Sequence, residues 1–221
     1  ITHFDGPFDS GKAREYRRIN RINQADIDAL RAQITRHGIE CQWREDGIHY
    51  AAADHLAIQE RENFLPYLEA MEISHTPLDT EMLHSRLGTA LYRTGVHVHP
   101  GALLHPAALV HGLADSLPGN IVLHEQSPVL AINPGRPLSL ELPGGTVQTD
   151  KLLLATNNEA AKLGFQRYAL TGSTLSGSFT RVLNDAEFAS MGSLGEWGIL
   201  SLHGGGATVR LTADRRICIR N

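Results

Sequence analysis

The chain is short of several things that would place it quickly. Cysteine is almost absent: only Cys41 and Cys218 occur in 221 residues. They lie far apart and read as free thiols of a cytosolic protein rather than as a disulfide framework. No apolar run approaches the length of a membrane span. The first residues, ITHFDGPFDS, have neither a basic nor an apolar leader pattern, so no signal peptide is expected. Neither sign of charge dominates: the net charge is -4 at pH 7, which gives no electrostatic reason to expect a nucleic-acid partner. There is no G-x-S-x-G elbow and no G-x-G-x-x-G fingerprint after a strand. No internal repeat or low-complexity tract is visible.

What remains is ordinary globular material, 42% hydrophobic and 20% charged, enough for one large domain or two small ones. There is no initiating Met, and the closing residues 216–221 read as a strand in progress, so the chain is expected to be an internal piece of a longer one.

Taken in order, residues 1–12 are rich in Gly, Pro, Asp and Ser and are expected to be irregular. Apolar residues Ile19, Ile22, Ile27, Leu30 and Ile34 predict a helix from Ala13 to His37 that Gly38 stops. IECQWREDGIHYAA (39–52) predicts a hairpin turning at Asp46-Gly47. Asp54 is placed to cap a helix from His55 to Met71, kinked or divided at Pro66. Thr80–Leu87 reads as a further helix with Asp79 or Thr80 as its cap.

The centre of the chain is the stretch 89–155. An extended piece leads into a helix that Pro106 opens and Pro118-Gly119 closes. Strands are expected at 121–124, 129–132 and 138–142, with a turn at Pro143-Gly144-Gly145 into 146–148. Leu152–Ala155 reads as a buried strand ending in Thr156-Asn157-Asn158, a common way to present backbone groups to a nucleotide, before a short helix to Leu163. Residues 168–180 read as a strand at an edge or close to a ligand. A helical turn follows at 185–191, then antiparallel strands at 197–202, 207–211 and 217–219. The fold class is α+β, a mostly antiparallel sheet covered by helices, with a smaller α/β segment in the middle.

Four kinds of chemistry are candidates. His97 and His99 alternate on an extended segment and face one way. With His105 or His111 they invite a metal reading, but no Cys or carboxylate stands nearby at a ligand spacing, and no metal ligand is assigned. Ser173, Ser176 and Ser178 lack a nucleophile motif. Gly204-Gly205-Gly206 falls between two strands and reads as a hairpin loop. Arg210, between Val209 and Leu211, is either a surface arginine or one that projects from the sheet and forks onto a substrate carboxylate.

Three stretches together resemble the D-amino-acid oxidase-like FAD-dependent oxidoreductases, the class of the glycine, sarcosine and γ-glutamylputrescine oxidases. LLHPAALVHGLADSLP (103–118) resembles that family's H/Q-P-x-x-L-x-x-G-L helix. VLHEQSPVLAI (122–132) with TVQTDKLLLATNNEA (146–160) resembles its P-V…A-T-N run. WGILSLHGGGATVRLTADRRICIRN (197–221) resembles its closing hairpins. They occur in the family's order and cover, with the Leu91-Tyr92 and Gly95 region, about two-thirds of the chain.

The resemblance implies that residues 99–163 belong to a split FAD-binding α/β domain and that 1–98 and 164–221 build a substrate domain whose sheet lies over the flavin. It implies FAD contacts at Val129, Ala155, Thr156 and Asn157, and a substrate-facing Arg210. The implied reaction is oxidation of a C–N bond in a small amine or amino acid, with hydride leaving the amine-bearing carbon for the flavin. The glycine fingerprint that seats the pyrophosphate is missing from these residues, so this chain alone is expected to bind FAD poorly and to be inactive. The competing readings are a non-catalytic domain of the same fold and a metal-binding protein built on His97, His99 and His105.

Overall fold

The computed structural model describes residues 8–170, 172, 174–192 and 194–220. Residues 1–7, expected to be irregular, and Ser173 lie outside the described residues. The chain forms two compact units, one built from the residues up to Ser116 and from Leu175 onward, the other from Leu117–Thr174.

The first unit opens with helix α1 (Ala13–His37), which Gly38 ends in a left-handed cap at φ 61°, the conformation that glycine adopts without penalty. Strand β1 (Ile48–Ala52) follows, then helix α2 (His55–Ala70), capped by the Asp54 carboxylate accepting from the Ala57 N–H at 2.8 Å. Pro66 lies inside α2, and the helix runs through it. Strand β2 (His75–Leu78), helix α3 (Thr80–Leu87, capped by Asp79), strand β3 (Thr94–Val98) and helix α4 (Pro106–Asp115) complete the N-terminal part.

The second unit contains β4 (Ala131–Asn133), β5 (Leu138–Leu142) and β6 (Gly145–Thr149) as an antiparallel sheet, followed by a 3-10 turn at Asn157–Ala161. The chain returns to the first unit with β7 (Gly177–Phe179), the short helix α5 (Asp185–Ser190), and strands β8 (Trp197–Ser201), β9 (Thr208–Leu211) and β10 (Ile217–Arg220).

The first unit's sheet has the order β2-β3-β1-β8-β9-β10-β7 and is antiparallel except where β1 meets β8. Its two faces bury separate cores. Tyr50, Val96 and Val98 pack against Phe64, Tyr67 and Leu68 of α2 on one side. Ala51, Ile199, Trp197 and Leu211 pack against Leu83 and Leu87 of α3 on the other. This is the expected α+β architecture, with β7 at the sheet's edge. Among the described residues no helix is long and apolar enough to cross a membrane.

Four local expectations are corrected. Residues 39–52 do not form a hairpin. Only Ile48–Ala52 is a strand, because the preceding stretch finds its partner far along the chain: Arg44 and Leu103 exchange two backbone hydrogen bonds of 2.9 Å, and the His105 N–H donates to the Cys41 carbonyl at 2.8 Å. Residues 121–124 and 152–155 are not strands either. Neither has a ladder partner among the described residues, and Leu153 is 89% exposed rather than buried. An apolar run becomes a strand only when a neighbour satisfies its N–H and C=O groups. Helix α4 stops at Asp115 with Ser116 as its cap, before Pro118.

Candidate functional site

Direct cross-strand pairing sets Gly198, Arg210, Cys218 and Phe179 in one row across β8, β9, β10 and β7, so their side-chain positions share a face. Over Gly198 lies Leu103, so close that a Cβ on residue 198 would sit 2.8 Å from a leucine methyl. The segment carrying Leu103 is the one tied to Arg44 and Cys41, and it forms a strap across this face. Arg210 reaches the strap: its Nη1 donates to the Leu104 carbonyl at 2.5 Å.

Behind the strap is a chain of alternating charges. Arg44 pairs with Asp46, and its Nη1 donates to Glu196 Oε2 at 3.2 Å. Glu196 Oε1 lies 3.7 Å from Arg210 Nη2, beyond hydrogen-bonding distance. The Glu196 side chain is 9% exposed and that of Arg210 21%. Burial opposes the charge on Arg44, yet its hydrogen bonds to Glu196 and Asp46 leave its pKa raised. Glu196 Oε1 and Arg210 Nε are both buried with no hydrogen-bond partner among the described residues. Charged atoms left in this state are costly unless something completes them.

A second cluster crosses β1 and β3. The rings of His49 and His97 stack with centroids 4.5 Å apart, and His99 lies 5.1 Å beyond His97. His97 Nε2 donates to the Asp46 carbonyl at 2.7 Å, and His99 Nε2 lies 2.7 Å from the Thr76 hydroxyl. Burial, then the neighbouring His97 and Arg86, pushes His49 down to about 4. Burial also lowers His97. His105 stands apart from this ladder as the N-cap of α4, its Nδ1 accepting from the Ala108 N–H at 3.1 Å. Among the described residues no three His, Cys, Asp or Glu side chains are placed to hold a metal ion.

The four residues expected to touch FAD belong to the second unit, and Arg210 belongs to the first. Val129 is half-buried just ahead of β4, while Ala155, Thr156 and Asn157 are exposed. Asn157 has a left-handed backbone, φ 49°, and the 3-10 turn it opens has no side-chain cap. Exposed backbone and an uncapped turn suit the hydrogen-bonding periphery of a nucleotide. They do not suit its pyrophosphate, for which this sequence holds no glycine-rich turn.

Sequence reasoning singled out Arg210 as a candidate but not Glu196, Arg44 or the strap that lie beside it. Arg44 and Glu196 are 152 residues apart, and no periodicity announces such a pair. The serine candidates gain nothing: Ser178 is on the edge strand β7 and Ser176 precedes it.

Comparison with solved structures gives the same fold at low identity. Glycine oxidase from Geobacillus kaustophilus superposes with a TM-score of 0.65 at 16% identity, over 89% of this chain and 52% of that one. Glycine oxidase from Bacillus cereus gives 0.64 at 16%, over 99% and 58%. L-proline dehydrogenase from P. horikoshii gives 0.64 at 11%, over 99% and 57%. The chain thus spans a little over half the length of these proteins. No curated protein matches it at a significant level. The family model described as DAO, FAD dependent oxidoreductase, matches residues 6–221, nearly the whole sequence, and the chain therefore belongs to the D-amino-acid oxidase-like FAD-dependent oxidoreductases.

Proposed function

We propose that this chain is part of an enzyme that oxidises a C–N bond in a small amine or amino acid with FAD. The observation that carries the reading is the family match over residues 6–221. The glycine oxidase and L-proline dehydrogenase folds are consistent with it. In this reading 1–98 and 164–221 form the substrate domain and 99–163 a segment of the FAD-binding domain. Val129, Ala155, Thr156 and Asn157 hold the adenosine side of the cofactor through backbone groups. Arg210 takes the substrate carboxylate on its Nε–Nη2 edge, the side-on geometry that guanidinium groups offer to carboxylates. When bound, the flavin supplies the acceptor for the hydride. The two free thiols support a cytoplasmic location.

The chain's own part is placement and charge. The Arg210 side chain is 21% exposed beside the strap, a setting in which a carboxylate would gain more than in open solvent. The glycine fingerprint is missing from these 221 residues, so the chain by itself holds no stoichiometric FAD and turns over no substrate.

The alternative, a non-catalytic domain of the same fold, draws on one observation: part of the Arg210 fork is already taken by the Leu104 carbonyl. Two measurements decide. The purified chain is expected to be colourless after incubation with FAD and gel filtration, and a one-to-one flavin spectrum would refute its inactivity. The full-length protein is expected to lose its flavin absorbance when an amino acid is added without oxygen. If no amine or amino acid bleaches it, the non-catalytic reading replaces the enzyme.

A further inference from the structure

Glu196 is placed oddly for a structural ion pair. It stands immediately before β8, almost fully buried, with a guanidinium at each oxygen, yet it closes on only one of them. Arg44 Nη1 is 3.2 Å from Oε2, a hydrogen bond, whereas Arg210 Nη2 stays 3.7 Å from Oε1. The orphaned atoms are Oε1 itself and Arg210 Nε. The side-on edge of Arg210 therefore has a carboxylate beside it that does not complete it. Arg44 is the guanidinium on which that carboxylate closes. Its backbone is fixed to Leu103 by two hydrogen bonds of 2.9 Å, and its side chain is anchored a second time on Asp46.

Resting on the reading of Arg210 as the substrate arginine, we infer that Glu196 is a positioning residue: an internal carboxylate, restrained by Arg44, that leaves the Nε–Nη2 edge of Arg210 available to the carboxylate of an amino-acid substrate. The four charges Asp46, Arg44, Glu196 and Arg210 alternate and balance. A substrate carboxylate arriving at Arg210 leaves Glu196 its hydrogen bond to Arg44, so Glu196 keeps a partner while the set gains one negative charge. A simple amine lacks the group that Arg210 is kept for.

The arrangement makes two substitutions act in opposite directions. Glu196→Gln removes the internal competitor, and carboxylate binding tightens. Arg44→Gln removes the restraint, Glu196 closes on Arg210, and carboxylate binding weakens. Each change is expected to be roughly fivefold to tenfold, the worth of one modest ion pair.

The probe is sodium propionate, titrated into the purified chain. The readout is the arginine Nε–H resonances by NMR, with that of Arg210 identified by its loss in Arg210→Lys. Propylamine is the control. Propionate is expected to shift the Arg210 resonance in the unaltered chain, more tightly in Glu196→Gln and more weakly in Arg44→Gln, while propylamine shifts nothing. If both variants weaken binding, or neither changes it, Glu196 is merely structural and the role given to Arg210 stands without it. If propionate moves the Arg210 resonance in none of the three proteins, the role of Arg210 falls and this inference falls with it. Should Glu196→Gln not fold, Glu196→Asp serves instead: its shorter carboxylate draws back from Arg210 and is likewise expected to tighten binding, and unchanged or weaker binding overturns the inference.

Discussion

The titration of His49 is the residue-scale property with the clearest consequence. Its folded pKa is about 4 against a usual 6.5, chiefly because burial disfavours the imidazolium. Between those two values the unfolded chain binds a proton that the folded chain refuses. Stability is therefore full above pH 6.5 and falls as the pH drops toward 4, by about 2 kcal/mol for His49 after discounting for its partial exposure. His97 is shifted the same way and adds to the loss. Denaturant melts at pH 7.5, 6, 5 and 4 test this, and His49→Phe is expected to flatten the profile. A profile that stays equally steep in that variant assigns the loss to other groups.

Gly47 belongs to the same cluster. Its φ is 72°, and a Cβ there would lie 2.4 Å from the Val98 carbonyl oxygen and 2.6 Å from His97 Nε2. Gly47→Ala is thus expected to cost about 2 kcal/mol or more, combining a left-handed backbone with a clash against main chain. A melting temperature within a degree of the parent chain would contradict it.

At the scale of elements, legibility followed locality. The boundaries of α1 and the caps of α2 and α3 could be read because their signals, Gly38, Asp54 and Asp79, sit within a few residues of what they terminate. The run from β8 to β10 was legible for the same reason, as neighbouring strands joined by short turns. The segment before β1 was not. Asp46-Gly47 is a good turn by composition, but the ladder partner of Arg44 is Leu103, and nothing in residues 39–52 encodes that. The candidate site divided likewise. Arg210 was visible as a lone charge between apolar strand residues, whereas Glu196 acquires its meaning only once Arg44 and the strap converge on it. The N-caps offer a test at this scale. Asp54→Ala removes the acceptor for the Ala57 N–H and is expected to lower stability by about 1 kcal/mol. Asp54→Asn, which keeps an acceptor, is expected to recover most of it. Equal losses in both variants would point to the charge rather than the cap.

At the scale of the molecule, the two units differ in how much they bury. Nearly every buried apolar residue belongs to the first unit, in two cores on either side of a continuous sheet and a third, smaller cluster of Ile34, Ile39 and Cys41. Leu140 and Ala160 are the buried apolar residues of the second among those described, while Val122 is 73% exposed and Leu153 89%. The apolar stretches 121–123 and 152–154 have strand composition but no ladder partner among the described residues; apart from the Ile121 N–H, which donates to the Pro118 carbonyl at 2.9 Å, their backbone groups are left largely to solvent. Opening such a segment costs little free energy, whereas opening β1 or β8 disrupts a core. Amide hydrogen exchange at neutral pH should therefore be fast across 122–129 and 152–156, slow in β1, β3 and β8, and intermediate in β5, which has a neighbour on each side. Protease should nick the chain first between Leu117 and Thr174, leaving the first unit as resistant fragments. The same stretches carry Val129, Ala155 and Thr156, so whatever binds there gains affinity only after ordering them, a cost that comes out of the binding free energy. If 152–156 proves as protected from exchange as β8, the second unit is stabilised in solution by pairing that these contacts do not contain, and a preformed cofactor surface follows instead.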